Sequence, residues 1–296
     1  MAELKNLIQA QRQKGRAHVI SPPTSDLEVH QFTDSMSTCT LLVLPDSEVA
    51  ATILIDCGSA LGVDSIKSQT REFINNTLSS VRPDGAALNY VVLTHPDQSH
   101  YNLLLPSLQG IPVGYVFYGG HLDQYAPNIR NWIESYGITA RGFPAAHSDI
   151  SNPLIRHGLA KVFVLAANAT GNVSSSDTST NSLVLLTTYG SLHVIHWGDA
   201  TAATGKFIRA NHPTLCETTG PADLTLLTGH PGDARQFWPW QPTQQGKDTT
   251  ELLGLEENFP DPSEPLMRQR HAYASALFEY PEHPVNWEIT PNPQAI

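Results

Sequence analysis

The sequence predicts an α/β fold in which two mixed β-sheets lie sandwiched between helical layers. Three observations predict it. Short apolar, strand-like runs recur in both halves of the chain, segments of helical spacing separate them in both halves, and several of the runs stop abruptly in polar clusters. The composition supports a packed core: hydrophobic residues reach 40% and charged residues only 15%, against about 25% in an ordinary globular protein, the opposite of a disordered chain.

Leu27–Phe32, Thr38–Leu44 and Ala51–Asp56 read as three strands, the last two separated by the turn residues Pro45-Asp46-Ser47. Val63–Leu78 carries apolar residues at helical spacing and ends before the breaker Arg82-Pro83-Asp84-Gly85. Tyr90–Thr94 is a short buried strand that runs directly into His95, and Leu122–Tyr136 reads as a helix interrupted near Pro127 and ending at Gly137. In the second half Lys161–Leu165, Ser182–Thr187, Leu192–His196 and Leu224–Leu227 read as strands, and Thr201–Ala210 as a short helix. Residues 239–265, rich in Pro, Gln, Thr and Glu, read as a long surface loop. Pro265–Tyr280 reads as a helix, and the last 16 residues, with Pro at 281, 284, 291 and 293, as a tail. One domain spanning residues 1–296 is expected, with its core at about 27–235 and a C-terminal loop, helix and tail over 236–296.

The N-terminal segment lacks an apolar stretch typical of a secretory signal, and no run of about 18 apolar residues occurs, so a cytoplasmic protein with no membrane partner is expected. Three widely spaced cysteines suggest neither a disulfide framework nor a thiolate zinc site. The formal charge of -11, with no Lys/Arg cluster, argues against long nucleic acid and in favour of a small-molecule substrate. Thirteen histidines against eleven arginines and six lysines direct attention to metal chemistry, since imidazole is the commonest metal ligand.

Four strand ends carry Asp and His. Ile53–Gly58 ends in Asp56-Cys57-Gly58; Leu93-Thr94-His95-Pro96-Asp97-Gln98-Ser99-His100 follows the Tyr90 strand; Leu192–Asp199 ends in Gly198-Asp199; and Leu224–His230 ends in Gly229-His230. Imidazole nitrogen and carboxylate oxygen suit zinc, manganese or iron. For the His95 loop alone, a polar turn capped by Asp97 or Ser99 is the better reading, and the other strand-end clusters are what favour ligands. No G-x-S-x-G and no Gly-x-Gly-x-x-Gly occurs, which leaves neither a serine nucleophile elbow nor a dinucleotide fingerprint.

The ordered set D-x-G, H-x-D-x-x-H, G-D and G-H resembles the metallo-β-lactamase fold superfamily over roughly residues 27 to 235. It is most similar to the branch whose metal loop reads H-P-D-x-D-H, as in the hydrolase domain of DNA-uptake competence proteins; Asn181–Leu185 and Gly198-Asp199 extend the likeness. The resemblance implies an αββα sandwich with one or two zinc ions (manganese or iron as alternatives) and a metal-bound hydroxide that attacks an ester, thioester, amide or lactone. It places His95 and Asp97 at the first metal, His100 at the second, Asp199 between the two and His230 at the second, with Asp199 and His100 closest to the chemistry. Asp56 would fix the loop from behind.

The departures from that pattern are Ser99 for the aspartate before the last loop histidine, Tyr101-Asn102-Leu103-Leu104 for Gly-Gly, and the lack of a histidine before Asn181, where Asp177 is the only ionisable candidate. They keep open a catalytically reduced protein that binds a ligand or partner, a phosphodiesterase or nuclease, and a biosynthetic lyase or cyclase. His121 reads as a pocket residue or a helix N-terminal one. Trp238 and Trp240 read as an apolar wall for substrate or as a packing plug. His193 and His196, three apart on a strand, face opposite sides, so at most one points at a site.

Overall fold

A computed structural model describes residues 27–32, 37–46, 49–59, 63–82, 85–171, 178–190 and 192–213, and the strands at 224–227, 251–253 and 285–289. The expected αββα sandwich is the observed one. The first sheet runs in the order β14-β1-β2-β3-β4-β5-β6. Its strands are β1 (Leu27–Phe32), β2 (Ser37–Leu44), β3 (Ala51–Ser59), β4 (Leu88–Leu93), β5 (Val113–Gly119), β6 (Ala140–Phe143) and β14 (Val285–Ile289). The second runs β13-β12-β11-β10-β9-β7, with β8 paired to β9. It comprises β7 (His147–Asp149), β8 (Ile155–His157), β9 (Ala160–Ala167), β10 (Val184–Tyr189), β11 (Leu192–Gly198), β12 (Leu224–Leu227) and β13 (Glu251–Leu253).

Both sheets are mixed. In the first, β1, β2 and β3 are antiparallel and β3 through β6 parallel; in the second, β9, β10 and β11 are antiparallel and β12 and β13 parallel to β11. Alternation along the strands makes the layers. Leu42, Ile53, Ile55 and Val92 of the first sheet meet Val162, Val164, Leu185 and Val194 of the second in the central core. Their alternates, Leu41, Leu54, Val91 and Leu93, face outward against the helices α1 (Val63–Val81), α2 (Leu104–Ser107) and α3 (Pro127–Glu134). Ile195 and Trp197 lie outward on the second sheet and pack with Ile208 of α4 (Ala202–Asn211).

Several elements differ from expectation. The helix read over Leu122–Tyr136 is a 3-10 turn at Leu122–Gln124, then α3 opening on Pro127, whose missing N–H suits a first helical turn. The segment read as a loop over 239–265 supplies β13, and the tail supplies β14, which adds an antiparallel edge to β1. The helix expected over Pro265–Tyr280 lies outside the described residues. Among the described residues, no helix is long and apolar enough to cross a membrane.

Candidate metal centre

The loop after β4 is clamped to the start of β2 and the end of β3. The Thr38 hydroxyl donates to the Ser99 carbonyl (3.1 Å), and the Leu103 N–H to the Cys57 carbonyl (3.1 Å). Asn102 accepts from the Ser59 N–H (2.9 Å) and donates to the Ser59 carbonyl (2.7 Å), so the residue that replaces a glycine in the resembled motif has a strand-pinning task of its own. Approach this close demands Gly58: a Cβ there would lie 2.0 Å from the Ser99 carbonyl oxygen.

Asp56 organises the loop from behind. Fully buried and at positive φ (54°), it accepts from the Thr94 N–H (2.7 Å), the Thr94 hydroxyl (2.6 Å) and His100 Nδ1 (2.8 Å). Burial pushes its carboxyl up, but the charge and hydrogen bond of His100 outweigh that and hold it below the usual carboxylate value. Because Thr94 gives its only hydroxyl proton to Asp56, its oxygen accepts from His95 Nδ1 at 3.1 Å. Both imidazoles thus have Nδ1 engaged, and each turns Nε2 toward Asp199: His95 at 3.6 Å from Oδ2 and His100 at 3.2 Å. The rings stand 4.0 Å apart, centre to centre.

Asp199 reaches the site from the second sheet. Gly198 takes a left-handed φ of 59° to turn the chain, and the Trp197 indole donates to the Ala200 carbonyl (2.7 Å), closing the turn that carries the carboxylate. The Leu183 N–H donates to the Thr94 carbonyl (2.8 Å), tying the two sheets together beside it.

The charges match this geometry. Burial lowers the His100 pKa, yet Asp199 and Asp56 together raise it to about 10, so its Nε2 carries a proton at neutral pH when no ion is bound. Burial, helped by the charge of His100, lowers His95 to about 4. His95 is therefore a neutral imidazole whose Nε2 lone pair is buried without a hydrogen-bond partner among the described residues. An unprotonated, desolvated nitrogen beside a carboxylate and a second imidazole fits a divalent cation. His95, His100 and Asp199 have ligand atoms all within 4.8 Å of one another, so the three form a cluster that could hold a metal ion.

Asp97 stands outside this cluster. It caps the 3-10 turn at Gln98–His100, its Oδ1 accepting from the Ser99 N–H (2.8 Å) and hydroxyl (2.5 Å), and those bonds outweigh partial burial to lower its pKa. Its Oδ1 thus serves as the cap that a polar turn predicts. Ser99 likewise turns its hydroxyl to Asp97. His121 stands at the N-cap of the turn at Leu122–Gln124, its N–H donating to the Gln124 side-chain oxygen (3.0 Å) and its Nε2 lying 2.9 Å from the Pro144 carbonyl. Asp177, His230, Trp238 and Trp240 lie outside the described residues.

One residue, Thr94, was not singled out from sequence, and another, His196, was named only as half of a pair. Thr94 links Asp56 to His95, and a hydroxyl directly before the first histidine was its only signal. His196 is the buried member of the His193/His196 pair, close enough to feel the charges of Asp56, His100 and Asp199.

Fold and site together define an αββα protein whose strand ends assemble a His/His/Asp cluster suited to a metal ion. The solved structures to which the chain is similar include proteins of the metallo-β-lactamase fold. CmlA, a diiron β-hydroxylase from Streptomyces venezuelae, shows 13% identity and a TM-score of 0.38, with coverage of 69% of this chain and 35% of CmlA. The chain thus spans about a third of that protein's length. YhfI from Bacillus subtilis, a metallo-β-lactamase fold protein, shows 16% identity and a TM-score of 0.33 over 68% of this chain and 70% of YhfI. The metallo-β-lactamase SMB-1 shows 10% identity and a TM-score of 0.36 over 70% and 81%. No family model and no curated protein matches the sequence.

Proposed function

We propose that the chain is a metal-dependent hydrolase of small or medium organic esters, thioesters, amides or lactones, with His95, His100 and Asp199 holding one ion, zinc for preference. The observation that carries this reading is the convergence of the three ligand atoms within 4.8 Å, with Nδ1 of both imidazoles already engaged. A bound zinc ion supplies Lewis acidity and lowers the pKa of coordinated water to about 7. The chain's own residues do the rest. Asp56 fixes His100, Thr94 fixes His95, and Asp199 brings negative charge from the facing sheet. Ser99, committed to Asp97, offers no carboxylate for a second ion, so one equivalent is expected. The same observation favours the second reading, a repurposed fold that binds a ligand without turnover.

Metal analysis of the purified protein, repeated on His95→Ala and Asp199→Ala, tests the centre; retention of metal by both variants would sink it. A panel of esters, thioesters and bis-nitrophenyl phosphate, with and without chelator, then tests the chemistry. Acyl hydrolysis abolished by chelator supports the hydrolase, whereas metal uptake with no turnover supports the binding protein.

A further inference from the structure

The layer directly beneath the centre contains polar side chains that the metal site does not use. Across the first sheet, Gln31 is paired with Thr40, Thr40 with Ile55, Ile55 with Val92, and Val92 with Phe117. Residues directly opposite one another on adjacent strands share a face. Ile55, Val92 and Phe117 belong to the core between the sheets, so Gln31 and Thr40 point into that space as well. On the second sheet Val164, Leu185 and His196 form a matching row. Val164 and Leu185 belong to the same core, which sets His196 facing inward.

The hydrogen bond from Leu183 to Thr94 fixes the depth of the two rows. Leu183 is one inward position from Leu185, as Thr94 is from Val92, so the rows lie opposite each other one layer below the triad. Asn168, just beyond β9, donates to the Pro144 carbonyl, just beyond β6, which sets β9 on the β6 side of that contact and β11 on the side of β3, where Thr40 and Gln31 lie.

All three polar side chains are nine-tenths or more buried. Among the described residues, both amide atoms of Gln31, the Thr40 hydroxyl and both ring nitrogens of His196 have no hydrogen-bond partner. Buried donors and acceptors are expensive to leave bare, and a site offering two to four such groups suits water.

We propose that Gln31, Thr40 and His196 form an internal hydration site beneath the triad, and that through it His196 acts as a positioning residue for the bound ion. The second part rests on the reading of His95, His100 and Asp199 as a metal centre. Water held by His196 stiffens the floor on which His100 and Asp199 rest, as outer partners of metal ligands do elsewhere. A dry, idle floor makes the opposite prediction, because replacing a bare buried polar group by an apolar one relieves a penalty.

The test compares the full-length protein with His196→Leu, His196→Gln and Thr40→Val. Zinc affinity is measured by competition with a chromophoric chelator, and thermal unfolding is followed in metal-free protein. The proposal expects His196→Leu to weaken zinc binding about 10–100-fold, Thr40→Val to weaken it less, and His196→Gln to restore it. It also expects metal-free His196→Leu and Thr40→Val to unfold at lower temperature than wild type. Unchanged zinc affinity in His196→Leu, with an equal or higher unfolding temperature, overturns it. If His196→Leu does not fold, Thr40→Val and His196→Gln carry the same comparison. If wild type takes up no zinc, the metal reading itself fails and the unfolding temperatures decide the hydration site. Lowering by His196→Leu and Thr40→Val, relieved in His196→Gln, supports it, and no lowering refutes it.

Discussion

The loop after β4 and the end of β11 each send a histidine to the middle of the molecule, and each treats it differently. His100 is gripped at both ring nitrogens, by Asp56 on one side and Asp199 on the other. His196, equally buried, has no hydrogen-bond partner at either nitrogen among the described residues. The first sheet therefore sets ligand orientation through charge and hydrogen bonds. The second supplies one carboxylate and an uncommitted floor. The side-chain hydrogen bonds that fix Nδ1 of both loop histidines come from the first sheet.

Removing the grip should have the largest effect. Asp56→Ala leaves the buried His100 charge with Asp199 alone as carboxylate partner and Nδ1 without its acceptor, and should lower unfolding free energy by about 3–5 kcal/mol in denaturant titrations. A loss no larger than that of His196→Leu would erase the contrast between the two sheets. Gly58→Ala attacks the same side sterically. It pushes the Ser99 carbonyl away from β3 and should cost about 1–3 kcal/mol, together with metal affinity.

The two kinds of histidine also give metal-free protein a stability maximum. His95 and His196, both lowered to about 4, are neutral in the fold but take up protons when unfolded below their ordinary value of 6.5. Stability therefore falls as pH drops from 6.5 toward 4. His100, raised to about 10, contributes fully below 6.5 and loses its contribution as pH climbs toward 10. The lowered pKa of Asp56 keeps its contribution intact until pH falls below 3.8. Thermal midpoints measured from pH 4.5 to 9.5 should peak near 6.5; a steady rise across that range would contradict the assigned charge on His100.

That charge has a second readout. At pH 7 the ion must displace the Nε2 proton of His100, so zinc uptake should release about one proton per ion from the histidines, measurable with an indicator in weakly buffered solution. The smallest effect is expected of Ser99→Asp. The hydroxyl it replaces donates to Asp97, so the new carboxylate meets a like charge, and metal analysis should find no second equivalent. Uptake of a second ion would show that position 99 can turn into the centre after all.

Much of this layout was legible because strands with an inner face alternate and end where their polar residues begin. The strands at Leu27–Phe32 and Leu224–Leu227 fall where their apolar runs predict them. β5 was not read, because Gly114 and its aromatic neighbours break the pattern of a strand. The structure gives the physical cause: a Cβ at Gly114 would lie 2.7 Å from the Asn89 carbonyl oxygen, so the glycine permits close strand contact rather than ending the strand. The loop histidines could be read from spacing, but the side Asp97 takes could not, because a cap and a ligand demand the same residue. Nor could alternation choose between His193 and His196; it states only that they part company.

The pairing of β14 with β1 joins strands from opposite ends of the described chain, Leu27 lying across from Ile289. A ribosome releases β1 long before its outer partner exists. Until then the first sheet has an open edge that offers its backbone to any other extended segment. Completion of that sheet, with the Asp56 grip built on its third strand, thus waits until residues 285–289 have been made, and removal of that strand would act first on solubility.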